Sequence, residues 1–375
     1  MPGKCQPVFC VQQPMTTCSA EMDGLMPVSQ RAAFFDKKSA SPLIYRSLFA
    51  LVFVGLMGGY SPLRVDAAEP VGATSASLTD WLTRINEASR RRAFTGTFVV
   101  STAQAMSSAR IWHVCDGAQQ LERVDTLTGP ARTTVRRNDE VVTFIPEART
   151  TVLERRETLG LFPALLQTQG QSVKDHYNLK PLGAVERVAG FDAEVHDLTP
   201  KDDLRFGYRV WSERKTGLVL KIQTLDGQQR VLEQVAFSEL NLDTPLKVDA
   251  LAKLMKNRPG YTVQTITARQ TTPAEQGWRL RKDVPGFQTI GCQIKDVTGP
   301  EAGRPPLQWV LSDGLASVSL FIEAFDPKRH VQEGAMASGA THSMARRLGD
   351  HWLTLVGEVP ARTLNLFAQE LERAR

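Results

Sequence analysis

The chain has 375 residues, of which 42% are hydrophobic and 23% are charged. This composition excludes a disordered chain, a collagen-like chain and a coiled coil, and the length suggests two or three domains. Lys and Arg number 45 against 40 Asp and Glu, which gives a net charge of +5. A balance this even gives no reason to expect nucleic acid as the main partner.

An apolar run from Ser47 to Tyr60 follows Arg46. A helix of this length spans about 21 Å, less than the roughly 30 Å hydrocarbon core of a bilayer. The small or modest residues Val65 and Ala67 predict cleavage of a signal peptide after Ala67, and a retained signal anchor is the alternative. The polar residues before this signal indicate a start codon placed too far upstream. Residues 1–67 are therefore interpreted as an extension and an export signal.

Only two of the five cysteines, Cys115 and Cys292, lie beyond the predicted cleavage site. In an oxidising compartment such a pair can form an interdomain disulfide. Two buried thiols are the alternative, since buried free cysteines are common and inert.

One helix followed by about eleven short strands is predicted for residues 78–240. Ser77 and Asp80 form a capping-box-like start, and the apolar residues that follow recur at helical spacing. The strands lie too close together for parallel crossovers, so the pattern predicts an antiparallel sheet curved toward a half-barrel with the helix across it. The predicted strands are Phe94–Thr102, Ala109–Cys115, Gln119–Val124, Thr133–Arg137, Val141–Ile145, Arg149–Arg155, Val185–Val188, Ala193–Leu198, Phe206–Trp211, Leu218–Leu225 and Val231–Phe237.

Residues 241–261 are predicted to be a Pro-punctuated linker, and residues 262–375 a smaller α+β domain. Its clearest signal is Asp313-Gly314 between two apolar runs, which is typical of a hairpin turn. A second hairpin is predicted to turn at Gly349-Asp350, and a helix after Pro360 ends the chain. The sequence therefore predicts a two-domain α+β protein.

The chain lacks the motifs of the common enzyme classes: there is no G-x-S-x-G, H-E-x-x-H, P-loop or G-x-G-x-x-G, and no C-x-x-C after Ala67. A triad of Asp313 and Ser343 with His330 or His342 would be a coincidence of composition, since triads are recognised by geometry. We expect no catalytic residue, no metal and no cofactor. Arg205, Tyr208 and Arg209 interleave cations with an aromatic ring, which fits either contact with acidic groups or a basic outer sheet face.

Several strings, in order, resemble the periplasmic regulators of the sigma-E pathway, the RseB and MucB family. The resemblance extends over nearly all of residues 78–372. The strings are Phe94–Val100 (FTGTFVV), Ser108–His113 (SARIWH), Glu122-Arg123, Thr128–Pro130 (TGP), Arg187–Gly190 (RVAG), Pro200–Asp202 (PKD) with Arg205–Trp211, Ser312–Glu323 and Val356–Pro360 (VGEVP).

The resemblance implies an N-terminal domain similar to the LolA and LolB lipoprotein carriers, which would sense lipid. It implies a C-terminal domain that binds the periplasmic segment of an inner-membrane anti-sigma factor of the RseA or MucA type. Binding would shield that segment from proteolysis, and lipopolysaccharide or mislocalised lipoprotein would release it. It also implies a location in the periplasm of a Gram-negative bacterium.

Two sets of site residues are predicted on this basis, and the oligomeric state, including a homo-oligomer, is left open. The partner-contact candidates are Arg205, Tyr208, Arg209 and Asp313. The candidates for a lipid cavity are Phe98, Val100, Ile111, Leu121, Phe144, Leu161 and Phe162, for each of which an ordinary core position is the alternative. A lipid or lipoprotein carrier is the main alternative function, and a periplasmic hydrolase a third one.

Overall fold

The computed structural model describes residues 77–116, 119–155, 173–242, 251–256, 258–297 and 305–374. The predicted export signal and the cavity candidates Leu161 and Phe162 lie outside these residues.

Helix α1 spans Leu78–Arg91 and begins as the sequence predicts. The Ser77 hydroxyl accepts a hydrogen bond from the Asp80 backbone N–H at 3.2 Å, which satisfies one of the donors left unpaired at a helix start. Arg90 and Arg91 occupy the last turn, where cations complement the helix dipole. The helix buries Trp81, Leu82 and Ile85 against the sheet.

Eleven strands of the first domain form one antiparallel sheet. In space their order is β7-β8-β9-β10-β11-β1-β2-β3-β4-β5-β6. Among the described residues β6 and β7 do not pair with each other, so the sheet is open. The strands are β1 Phe94–Thr102, β2 Met106–Asp116, β3 Gln119–Thr126, β4 Thr133–Arg137, β5 Glu140–Ile145, β6 Thr150–Arg155, β7 Tyr177–Val188, β8 Phe191–Pro200, β9 Gly207–Glu213, β10 Val219–Leu225 and β11 Val231–Leu242. A short helix α2, Val173–His176, precedes β7.

The second domain continues this sheet. Strand β12 lies parallel to β6, and the order then runs β12-β14-β15-β16-β19-β18-β17 with antiparallel pairs. Strands β13 and β20 form a separate two-stranded sheet. The elements are β12 Thr262–Gln270, β13 Trp278–Leu280, β14 Gln288–Val297, β15 Leu307–Ser312, β16 Ser317–Ala324, β17 Gly334–Ser338, β18 Thr341–Leu348, β19 His351–Gly357, α3 Ala361–Glu370 and β20 Leu371–Arg373.

The α+β class and the open antiparallel sheet of the first domain are confirmed. The two-residue turns at Asn138-Asp139 and Gly349-Asp350 are present, with Asn138 and Gly349 in the left-handed region. The predicted two-residue turn at Asp313-Gly314 is wrong, because Ser312 pairs with Ser317 and a four-residue loop joins β15 to β16. The Asp313 carboxylate holds this wider loop by accepting backbone N–H groups.

The sheet of the first domain has an apolar cluster on each face. One face packs against α1, and the other is covered by the predicted linker, where Leu251, Met255 and Tyr261 contact it. The Arg258 guanidinium lies 4.3 Å from the centre of the Phe144 ring. The described part of the linker therefore packs onto the sheet, with a 3-10 turn at Lys253–Met255.

Gly96 is required by the close approach of β1 and β11. A Cβ atom at this position would lie 2.6 Å from the Glu239 carbonyl oxygen and 2.8 Å from the Phe237 ring. We expect Gly96→Ala to lower the free energy of unfolding by about 1–3 kcal/mol through overpacking. Gly227→Ala is the matched control, because a Cβ atom there meets nothing within 4 Å. Urea unfolding measures both, and equal effects would contradict the packing argument.

Candidate functional site at the domain interface

The Asp313 carboxylate is the centre of the interface between the two domains. Its Oδ1 accepts hydrogen bonds from the backbone N–H groups of Leu315 and Ala316, at 2.9 and 2.8 Å. Its Oδ2 accepts from Tyr177 Oη at 3.1 Å and from Arg205 Nε at 2.7 Å. One carboxylate thus holds its own loop in the second domain and two side chains of the first.

The Arg205 side chain is fully buried and is shared between the domains. It donates to Asp202, beside it in the first domain, and to the Pro285 carbonyl oxygen in the second at 2.8 Å. Its guanidinium also lies 5.1 Å from the centre of the Phe287 ring. These contacts satisfy most of its donors, which is the condition under which a buried charge is tolerated.

Two further titratable groups at the interface have pKa values that follow from burial. Burial and then the Asp313 charge raise the pKa of Tyr177 well above its ordinary value. Burial and then Glu358 and Asp313 raise the pKa of Tyr208 in the same way. For Arg205, burial lowers the pKa and the Asp313 carboxylate more than restores it, so the net shift is upward. The tyrosines stay neutral and the arginine charged at physiological pH.

One leucine of each domain lies in the apolar cluster of the other domain. Leu315, from the loop that Asp313 holds, belongs to the apolar cluster under α1, which also contains Trp81 and Tyr177. Leu204 of the first domain belongs to the core of the second domain. The Leu204 carbonyl oxygen accepts a hydrogen bond from Thr363 Oγ1 at 2.7 Å, and Asp203 pairs with Arg362 at the surface. Each domain thus contributes an apolar side chain to the core of the other.

The structure places most of the predicted partner-contact residues inside the molecule. Arg205, Tyr208 and Asp313 are buried between the domains, with 2%, 4% and 1% of their surfaces exposed, and their contact with a partner stays a prediction. Arg209 is partly exposed, and its guanidinium forms a bidentate salt bridge with the Asp197 carboxylate, with N–O distances of 2.7 and 3.0 Å. The arginines of this alternating stretch therefore bind acidic groups of the same chain, Asp313 and Asp197.

The described cavity candidates do not face one cavity. Phe98, Val100 and Ile111 belong to the cluster on the α1 side of the sheet. Leu121 and Phe144 belong to the cluster on the linker side. Successive side chains of a strand point to opposite faces of the sheet. Leu121 and Val124 on β3 are three residues apart, so they point to opposite faces, and they lie in different clusters. Ile111, Leu121 and Phe144 are fully buried core residues.

No disulfide joins the two cysteines that the structure describes. Cys115 is partly buried near the end of β2, and Cys292 lies in the core of the second domain as a thiol. Burial and then the Glu275 charge raise the pKa of Cys292 to about 11, so this thiol is protonated and unreactive at neutral pH. The structure therefore has two free thiols instead of an interdomain disulfide.

Sequence reasoning missed several residues of the interface. Tyr177 begins a strand that was predicted only from Val185, and Pro285 contributes only its backbone carbonyl oxygen. Leu315 follows the predicted two-residue turn directly and lies in the wider interface loop. Among the described residues there is no group of side chains that could hold a metal ion, and no helix is long and apolar enough to span a membrane.

The structure defines a two-domain α+β protein whose domains share one open sheet and a buried polar contact. Residues 77–255 match the MucB/RseB N-terminal domain family, and residues 272–372 match the MucB/RseB C-terminal domain family. The chain therefore belongs to the MucB/RseB family.

Curated relatives and solved structures agree with this assignment. The chain is 31% identical over 296 residues to the sigma factor AlgU regulatory protein MucB of Pseudomonas aeruginosa, which covers 77% of this chain and 89% of the relative. It is 24% identical to the sigma-E factor regulatory protein RseB of Escherichia coli K12, over 78% of this chain and 89% of the relative. The P. aeruginosa MucA/MucB complex structure matches with a TM-score of 0.60 and 27% identity, covering 79% of this chain and 99% of the other. A crystal structure of MucB with MucA(peri) matches with a TM-score of 0.58 at 28% identity, covering 79% of this chain and 99% of the other.

Asp313→Ala tests the interface. The change leaves the buried Arg205 guanidinium without its main counter-ion, so we expect a loss of about 3–5 kcal/mol in the free energy of unfolding. Urea unfolding followed by tryptophan fluorescence measures it.

Asp226→Ala is the matched control. Asp226 also accepts two backbone N–H groups and an arginine, Arg230, but within one hairpin turn of the first domain. A much smaller loss is expected there, and equal losses would mean that the interdomain contacts of Asp313 add nothing.

Proposed function

We propose that this protein is a non-enzymatic negative regulator of a sigma-E-type envelope stress response. It acts in the periplasm of a Gram-negative bacterium after export, and binds the periplasmic segment of an inner-membrane anti-sigma factor. The observation that carries this proposal is the similarity over both domains to MucB, which has been crystallised with MucA(peri). Bound in this way, the regulator shields the anti-sigma factor from proteolysis.

Release by the acyl chains of lipopolysaccharide or mislocalised lipoprotein is the second part of the proposal. The apolar cluster on the α1 side supports it, because Val100, Val188, Phe191 and Val235 at its margin are only partly buried. An acyl chain laid against them gains about 0.8 kcal/mol per buried methylene. The margin of this cluster, including the predicted residue Val100, is the proposed lipid-binding surface, and the predicted residue Phe98 lies buried in the same cluster.

The structure also suggests how lipid and partner affect each other. A ligand shifts a partner's affinity only through a difference in its own affinity for the two states of the protein. Leu315 of the second domain packs into the first-domain core beside α1, so a lipid that moves α1 or the sheet also changes the domain interface. A lipid or lipoprotein carrier remains the alternative function, and the second domain, which a simple carrier does not need, disfavours it.

A binding titration tests the proposal. The protein from Ala68 onward is added to a labelled periplasmic segment of the host's anti-sigma factor, with and without lipopolysaccharide. We expect binding that lipopolysaccharide weakens by about tenfold or more, and the segment should weaken lipopolysaccharide binding by the same factor, because coupling between two ligands is reciprocal. Cleavage of the segment by the site-one protease, with and without the regulator, measures the shielding. Absence of binding under both conditions would overturn the regulator proposal and favour the carrier.

A pair of variants tests the lipid surface. Val100 and Val99 are adjacent and partly buried, and they point to opposite faces of β1, so Val100→Asp and Val99→Asp are matched in chemistry. We expect Val100→Asp to reduce lipopolysaccharide binding about tenfold or more, since a carboxylate is costly beside an acyl chain. Val99→Asp should retain binding. Equal losses would place the lipid elsewhere, and circular dichroism confirms that both variants fold.

A further inference from the structure

Two exposed apolar side chains lie side by side at one end of the first-domain sheet. Met106 begins β2 with 74% of its surface exposed, and Leu127 follows β3 with 54% exposed. The Leu127 backbone N–H donates a hydrogen bond to the Ser108 carbonyl oxygen at 2.9 Å, so the pairing of β2 with β3 continues to this residue. Because Ser108 lies opposite Leu127 and two residues after Met106, the two apolar residues are diagonal neighbours on one face. We call this pair the apolar rim.

Hydrogen bonds hold both segments that carry the apolar rim. In the β1–β2 turn the Thr102 backbone N–H donates to the Ala105 carbonyl oxygen at 2.9 Å, and Thr102 Oγ1 accepts from the Ala105 N–H at 3.1 Å. After β3, Thr128 Oγ1 accepts from the Ser108 N–H at 2.8 Å. The two side chains of the rim are therefore held in exposed positions by closed turns.

The segments around the apolar rim carry no charge. Residues 101–108 (STAQAMSS) and 126–131 (TLTGPA) contain no Asp, Glu, Lys or Arg, although 23% of the whole chain is charged. A charged side chain is costly to bring into the apolar part of a bilayer. This end of the sheet can therefore enter the surface layer of a membrane without removing a charge from water.

The size of the apolar rim favours a membrane over a protein partner. A stable protein interface buries roughly 800 Å² on each side, which two side chains cannot supply. Reversible membrane binding needs less, because each apolar group that enters the bilayer contributes by itself. Arg110, the first charged residue after the rim on β2, is paired with Glu239, so the surroundings do not favour an acidic partner.

The apolar rim also adjoins the lipid-binding surface proposed above. Val100, at the margin of that surface, lies opposite Ser107, the residue that follows Met106. Ser107 and Met106 point to opposite faces of the sheet. The rim therefore lies at the strand end where the two faces meet, and a lipid that leaves a bilayer there has a short path around the strand end to Val100.

We propose that the apolar rim inserts into the surface of a phospholipid bilayer and holds the first domain against it while lipid is exchanged. The inference rests on the proposed function, which takes its lipid ligands from the membranes that border the periplasm. The contact is reversible, because two side chains give only weak partitioning. The rim is a docking surface for the membrane and is distinct from the surface that receives the acyl chain.

Flotation with vesicles tests the proposal. The protein from Ala68 onward is mixed with vesicles of phosphatidylethanolamine and phosphatidylglycerol, and the bound fraction is compared with that of the double variant Met106→Ser, Leu127→Ser. We expect the partition coefficient to fall about tenfold or more, since both inserted side chains are lost. The difference should persist at about 0.5 M salt, which screens contacts between exposed charges.

The double variant Leu182→Ser, Val185→Ser is the matched control. These two side chains are 37% and 53% exposed on the edge strand β7. Val185 is in register, through β8 and β9, with Val219 at the start of β10. Met106 is in register, through β1 and β11, with Gln223 near the end of β10, so the control lies toward the other end of the sheet. We expect this variant to bind vesicles as the wild type does.

A gain of binding tests insertion directly. Tryptophan favours the boundary between water and bilayer, so Met106→Trp should raise the partition coefficient about threefold or more. The fluorescence that this variant adds to the wild-type spectrum should shift to shorter wavelength on vesicles and be quenched by brominated acyl chains. Val185→Trp should show neither effect. Circular dichroism checks that all variants fold.

Absence of vesicle binding by the wild type, or a partition coefficient that the rim variant leaves unchanged, would overturn the inference. So would a fall of the same size in the β7 variant, or a Met106→Trp emission that vesicles do not alter. None of these measurements contains an anti-sigma segment or lipopolysaccharide. If lipopolysaccharide weakens segment binding while the rim fails these tests, the membrane contact is wrong and the proposed regulatory function stands.

Discussion

The arrangement of the two domains depends on one buried carboxylate. Asp313 accepts four hydrogen bonds, two from its own loop and two from Tyr177 and Arg205 of the first domain. A buried ion pair adds little net stability compared with apolar packing, but leaving one partner alone in the interior is costly. The contact therefore acts mainly on specificity: it favours the one placement of the second domain in which all these groups are satisfied. The same loop positions Leu315 in the core of the first domain.

This interface gives a physical basis for communication between the domains. The first domain holds the apolar surface proposed for lipid, and the sheet continues into the second domain through the parallel pair of β6 and β12. A rigid linkage alone would transmit nothing, since allosteric coupling needs two states that the ligands distinguish. In the proposed regulation, the buried polar contacts at Asp313 are this element, because they are satisfied only when the two domains are docked. The described part of the linker packs on the sheet, with the Tyr261 ring edge-on to the Phe144 ring at 6.4 Å.

Elements that depend on local interactions can be predicted from this sequence, whereas those that depend on contacts between distant residues cannot. Helix α1 could be predicted because its cap and its apolar spacing are local, and the strands that alternate with clear turn residues were found with small errors at their ends. Strand β7 was recognised only in part, since Pro181 and Gly183 resemble a loop, and an edge strand tolerates both beside a bulge. Strand β17 was missed because Gly334–Ser338 is a small, exposed segment whose strand conformation comes from pairing with β18. Asp313-Gly314 has the composition of a tight turn, but hydrogen bonds to the carboxylate hold a wider loop.

The sequence by itself determined the α+β class, the first helix, most strands and the resemblance to the MucB/RseB family. These depend on local propensity, on alternation along a strand and on ordered motifs, all of which can be read along the chain. Only the tertiary structure decided that Arg205, Tyr208 and Asp313 are internal, that the cavity candidates divide between two faces and that the two cysteines are thiols. It also placed the exposed Met106 and Leu127 side by side at one end of the sheet. Burial and the pairing of distant charges arise from contacts between residues far apart in sequence, and no local pattern contains them.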